Sequence, residues 1–107
     1  MSVISVYAIF ANEEEAKRIG RAMVESRHAA CVNIVAPVHS IYRLKGAVEQ
    51  ADEVAAIFKT TDATADALIS AIAGLHSYKV PCIVSWPIDK ILGSYADWVE
   101  ESVIRDR

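Results

Sequence analysis

The stretch from Cys31 to Thr60, CVNIVAPVHSIYRLKGAVEQADEVAAIFKT, limits most sharply what this chain can fold into. Before Gly46, one alternate set is Val32, Ile34, Ala36, Val38, Ser40, Tyr42 and Leu44, almost wholly apolar. The other is Cys31, Asn33, Val35, Pro37, His39, Ile41 and Arg43, which is mixed. A period of two with one apolar side predicts a half-buried strand. Beyond Gly46, Val48, Val54, Ile57 and Phe58 resume the β-branched and aromatic bias of a strand. Leu44-Lys45-Gly46-Ala47 supplies the turn, because glycine enters the left-handed region without a Cβ clash. Two strands this long exceed the usual handful of residues. One small domain cannot cover such a hairpin, so part of it projects and needs a partner.

At 107 residues the chain is a single domain spanning 1–107, large enough for a core without disulfides or metal. Its hydrophobic fraction of 53% and mean hydropathy of +0.25 are high for a small monomer, which again predicts a buried face between subunits. The net charge of −3 and the lack of a basic block give no electrostatic support for nucleic-acid or membrane-surface binding. No run reaches membrane-spanning length, and the N-terminus lacks a charged n-region and a cleavage site. The expected location is cytoplasmic. Cys31 and Cys82 are far apart and form no CxxC, so neither a zinc module nor a thioredoxin-like motif is indicated.

In chain order, Val3 to Phe10 is apolar on both sides, as a covered central strand would be. Asn12 caps a first helix with Glu13, Glu14 and Glu15 in its first turn and Ala16, Ile19, Gly20 and Met23 along its inner face. That helix should fade near Arg27-His28, where His28 answers the dipole. Thr61 or Asp62 caps a second helix with the face Ala65, Leu68, Ile69, Ile72, stopping at Gly74. His76 to Lys79 is a loop, and Val80 to Ile88 is a strand bracketed by Pro81 and Pro87, which assigns it to a sheet edge. Pro37 likewise marks a bulge or edge position. Ser94-Tyr95-Ala96-Asp97 has the form of a capping box opening a short last helix with Tyr95, Trp98, Val99 and Val103 on one side. The order βαββαβ plus a terminal helix predicts an α+β, ferredoxin-like sandwich with a long hairpin between its second and third strands. Its first and third strands are central, and its uncovered sheet face packs against other copies.

Ala30-Cys31-Val32-Asn33-Ile34, Ser40-Ile41-Tyr42, Gly46 with Glu49 and Glu53, and Lys59-Thr60 resemble the CutA family of divalent-cation tolerance proteins. His76 with Tyr78, Val80-Pro81, Pro87-Ile88, and Tyr95 with Trp98 continue the resemblance in the same order over essentially the whole chain. It implies a tight homotrimer akin to the PII signalling proteins, with edge strands of neighbours paired. It further implies a link to copper tolerance and copper binding, with no enzymatic reaction established and no cofactor required beyond copper or another divalent cation. Two places depart from the family pattern. Where the family carries YWWEG the chain reads Tyr42-Arg43-Leu44-Lys45-Gly46, and HPYEVPE becomes His76-Ser77-Tyr78-Lys79-Val80-Pro81-Cys82.

The candidate metal ligands are Cys31, His76 and Cys82, since a thiolate suits Cu(I). Against this stands the reading of both cysteines as small core residues. A disulfide between them is not expected, because they fall on opposite edges of such a sheet and could meet only across a subunit boundary. Tyr42, Glu49, Glu53, Lys59, His76 and Tyr78 are candidate ligand-binding residues, set in a loop and on strand positions where a cleft between subunits would form. The alternative for His76 and Tyr78 is a structural role in closing strand ends, and for the strand charges, edge solvation. His39 is expected to be simply solvated. Two functions remain: a non-enzymatic trimer acting in metal tolerance, and a PII-like sensor holding an anionic metabolite between subunits. An acylphosphatase-like enzyme would need an arginine in a glycine-rich loop after the first strand, and Phe10 to Glu15 is acidic instead.

Overall fold

In the computed structural model, which describes residues 2–104, the elements run β1 (Val3–Phe10), α1 (Glu13–Glu25), β2 (Cys31–Leu44), β3 (Ala47–Thr61), α2 (Asp62–Leu75), β4 (Ile83–Pro87) and α3 (Gly93–Ser102). The four strands form one antiparallel sheet in the order β2-β3-β1-β4. The expected βαββαβ sandwich with central first and third strands is therefore the observed one, and β4 lies at an edge.

Alternation divides β1 between two faces. Ile4, Val6, Ala8 and Phe10 point with Val54, Ala56 and Phe58 of β3 into a core closed by Ile19 and Met23 of α1 and Leu68 and Ile72 of α2. Helix α1 approaches β2 so closely that a Cβ on Gly20 would lie 3.1 Å from Val32 Cγ1. On the other face, α3 covers one end, packing Val99 and Val103 against Val3 and Ala30. Between that end and the hairpin the face is open. Tyr7 and Ile57 are half-buried there, while Val35, Val84 and Trp86 are 48%, 47% and 44% exposed.

The hairpin departs from the single apolar side expected for β2. Val35 stands opposite Ala55, but Val38 stands opposite Glu53, so β2 carries one extra residue across Ala36-Pro37. A one-residue slip moves every later side chain to the other face. Val32 and Ile34 therefore face the helices, whereas Val38, Ser40, Tyr42 and Leu44 face the open side. Proline supplies the cause, because it has no N–H to give to the ladder. Beyond the bulge the two strands form a projecting arm, solvent-exposed from Ile41 to Gln50, and the molecule is 44 Å along its longest axis against 26 and 21 Å along the others. Lys45 (φ 51°) and Gly46 (φ 84°) make a two-residue turn with both residues left-handed, the form whose twist matches paired strands.

Several local expectations are corrected. Gly74 does not end α2, which runs through Leu75. Ser94 lies inside α3, whose N-cap is Leu92 with no side-chain cap. The last strand begins at Ile83, not Val80, leaving Val80 88% exposed. His28 lies past α1, where Nδ1 sits 2.6 Å from Ser26 Oγ, and the last turn of α1 holds no basic residue. Arg27, left-handed at φ 66°, instead serves α3. Its guanidinium donates to the carbonyls of Ser102 (3.0 Å) and Glu101 (2.8 Å), groups that have no partner within the helix.

Candidate functional site

Where the arm leaves the body, the loop from His76 to Cys82 crosses toward the open sheet face and encloses a cleft of about 1020 Å³. Phe10, at the end of β1, provides the base for this loop. The His76 imidazole stacks on the Phe10 ring with centroids 5.0 Å apart and planes 11° from parallel. His76 Nε2 donates to the Ile9 carbonyl at 2.7 Å, and Nδ1 accepts from the Tyr78 N–H at 3.0 Å. Both ring nitrogens are thus engaged, and neither presents a lone pair to a metal.

Glu15 fixes the same loop from the helix side. Its carboxylate is buried and accepts from the N–H groups of Ser77 (2.8 Å) and Ala11 (3.2 Å), while its own N–H donates to Asn12 Oδ1 at 2.8 Å. Burial alone would raise its pKa. The hydrogen bonds from Ser77 and Ala11 and the nearby His76 outweigh burial and hold the carboxyl below its usual value. This role escaped sequence reasoning, which assigned Glu15 to the helix dipole. The signal that marks it is the Asn12-x-x-Glu15 spacing of a capping box, here reaching one residue further back.

Tyr78, so positioned, donates its phenol to Glu53 Oε2 at 2.6 Å. Glu53 is only 9% exposed, and the phenol supplies the partner that a buried carboxylate needs. Burial, then the bond to Glu53 and its charge, push the Tyr78 phenol up to about 12. Tyr42 and Ser40 wall the cleft from β2 and Ile9 floors it, and Arg43, Lys45 and Lys79 bring positive charge to it.

Of the residues singled out from sequence, the structure brings Tyr42, Glu53, Tyr78 and Cys82 to one cleft, with His76 behind them as a support. Glu49 lies opposite Tyr42 in the ladder, on the same sheet face but outside the lining. Lys59 is at the other end of the sheet, opposite both Ser5 and Cys31. Cys31 is half-buried, with Sγ 3.3 Å from the Tyr95 hydroxyl. Burial and that bond push the Tyr95 phenol up to about 12. Cys82 is exposed, which overturns its reading as core. Both cysteines are free thiols on opposite edges of the sheet. Among the described residues, no group of three or more His, Cys, Asp or Glu side chains is gathered to hold a metal ion.

Comparison with known proteins adds the lineage. Residues 4–102 match the family model for the CutA1 divalent ion tolerance protein. The divalent-cation tolerance protein CutA of Thermotoga maritima is 40% identical over 102 residues, covering 95% of this chain and all of that protein. Protein CutA of Homo sapiens is 36% identical over 94% of this chain, which spans 56% of the human protein's length. The crystal structure of CutA1 from Oryza sativa superposes with a TM-score of 0.96 at 32% identity, covering 99% of this chain and 97% of that one. The same strand order, hairpin and helices thus recur in proteins whose sequences also align along nearly all of the chain. On sequence and fold together, this chain belongs to the CutA1 divalent ion tolerance protein family.

Proposed function

We propose that this protein serves divalent-cation tolerance in the cytoplasm as a non-enzymatic homotrimer that holds copper, or another divalent cation, where subunits meet. The observation that carries this reading is the family match along residues 4–102, together with relatives whose names state divalent-cation tolerance. Two structural features support it. The open face of Tyr7, Ile57, Val84 and Trp86 is the kind of apolar patch that association covers. The free edges, β2 and β4, allow head-to-tail pairing that closes into a ring. Such a ring places the Cys31 edge of one protomer against the Cys82 edge of the next, so thiols separated in one chain become neighbours across a boundary. His76 then acts as a loop support rather than a ligand, and thiolate carries the affinity for Cu(I).

Competition titration of Cu(I) against a chromophoric chelator tests this. Tight binding should be lost or weakened at least tenfold in Cys31→Ala. No tight binding to the parent protein, or binding unchanged in Cys31→Ala, would overturn the thiol assignment.

A further inference from the structure

The join between the arm and the body is thinly held. The ladder of β2 and β3 is interrupted between Val35 and Val38, across Ala36-Pro37. The strand that flanks β3 through the body, β1, ends with Phe10 opposite Val54. From Glu53 outward, among the described residues, β3 therefore has β2 as its only strand neighbour. A two-stranded ribbon is marginal in water by itself. Just past the interruption, on the side of the arm opposite Tyr42, His39 stands across from Asp52. Its Nδ1 lies 2.8 Å from Asp52 Oδ1 and its Nε2 lies 2.7 Å from Gln50 Oε1, so one ring is tied to two residues of the facing strand. The side chain is 55% exposed, and both of its partners come from β3. The charged groups on this side of the arm are Asp52 and, two alternate positions toward the tip, Arg43, which stands opposite Val48. Glu49 and Glu53 alternate onto the other side.

We propose that His39 is a proton-operated clamp on the arm: the charged ring fastens β2 to β3 beyond the bulge, and loss of its proton lets the arm loosen about that bulge. The partners of the ring dictate its charge. Asp52 Oδ1 and Gln50 Oε1 are both acceptors, and only the imidazolium has an N–H for each. A neutral ring keeps one N–H. Its other nitrogen then turns a lone pair to Gln50, and that bond is lost unless the Gln50 amide turns over. In either case the positive charge opposite Asp52 is gone. These bonds raise the pKa of the ring above 6.5, with Asp52 the larger cause. The clamp is therefore shut below 6.5 and opens as pH rises through the higher folded-state value. The bulge supplies the freedom, because its extra residue is unpaired and the strand bends there. The clamp faces the helix side of the arm, so neither the thiols nor the open sheet face takes part in it.

Amide hydrogen exchange of the full-length protein tests this, run from about pH 5 to about pH 8 and corrected for the pH dependence of chemical exchange. Protection across residues 40–51 should fall about two- to fivefold over that range, the scale of an exposed ion pair, while β1 keeps its protection. His39→Gln retains a polar side chain without a titratable ring, and its arm should stay at the loose level throughout. Asp52→Asn retains an acceptor without the charge and should remove most of the dependence. Added salt should loosen the arm at the acid end and leave it unchanged at the alkaline end. Equal protection at both ends of the range in the parent, or a dependence of the same size in His39→Gln, would overturn the proposal. Loosening that comes only with a fall in sedimenting mass would overturn it as well, because assembly and not the ring would then set the arm. Cu(I) binding in the parent or in Cys31→Ala leaves these outcomes untouched.

Discussion

Glu15 and Glu53 are the two buried carboxylates around the cleft, and each is matched to donors rather than to a cation. Glu15 takes two backbone N–H groups, one from each segment it joins, and Glu53 takes the Tyr78 phenol. Every buried side-chain polar atom among the described residues has a partner, so the loop is held without leaving an orphan. A different pairing operates on the exposed arm. His39 Nδ1 lies 2.8 Å from Asp52 Oδ1 and Nε2 lies 2.7 Å from Gln50 Oε1, both acceptors, so the ring donates from both nitrogens. The bond to Asp52, then that to Gln50, raise its pKa above 6.5. The sequence reading took His39 as merely solvated; it is exposed but bonded on both sides. A raised value means that the contribution to arm stability is full below pH 6.5 and is lost as pH rises through the folded-state value. Imidazole NMR should place the His39 titration above 6.5, with a return toward 6.5 in Asp52→Asn. A midpoint at or below 6.5 in the parent would contradict the clamp.

The elements themselves were largely legible from periodicity and capping, because their signals are local. Asn12 caps α1, Pro87 closes an edge strand, and Gly46 turns the hairpin, each by a property of the residue itself. The face assignment within β2 was not legible. Pro37 announced a bulge, but the number of extra residues depends on what stands opposite, and that count decides which way Tyr42 points. The cleft was half legible for the same reason. Tyr42, Glu53 and Tyr78 stood out as residue types, whereas Arg43, Lys45 and Lys79 registered only as departures from a pattern until the bulge and the loop brought them together. The seat of α3 was also invisible from sequence, because Arg27 acts across a separation of |i−j| = 75. Arg27→Ala should cost about 1 kcal/mol, the worth of ordinary hydrogen bonds at an exposed site. The loss should be local, with faster amide exchange in α3 and unchanged protection in β1 and β3. Uniformly faster exchange would mean that α3 and the sheet open as one unit.

At the scale of the whole molecule, the body and the arm have different needs. The body is closed on one side by α1 and α2 around Phe10 and Phe58, both fully buried. On its other side α3 reaches only the end near Val3 and Cys31, leaving the Tyr7–Trp86 pair, with ring centroids 5.8 Å apart, on the open surface. The arm adds edge backbone and further exposed apolar residues such as Ile41 and Val48. A chain built this way leaves much apolar surface exposed, and the homotrimer proposed above would cover it. Sedimentation velocity at low micromolar concentration tests this most directly, with the parent protein beside Val84→Glu, Trp86→Glu. The account predicts a parent species with the mass of three chains and a folded double variant shifted toward one chain. A parent protein that sediments as a single folded chain would contradict it.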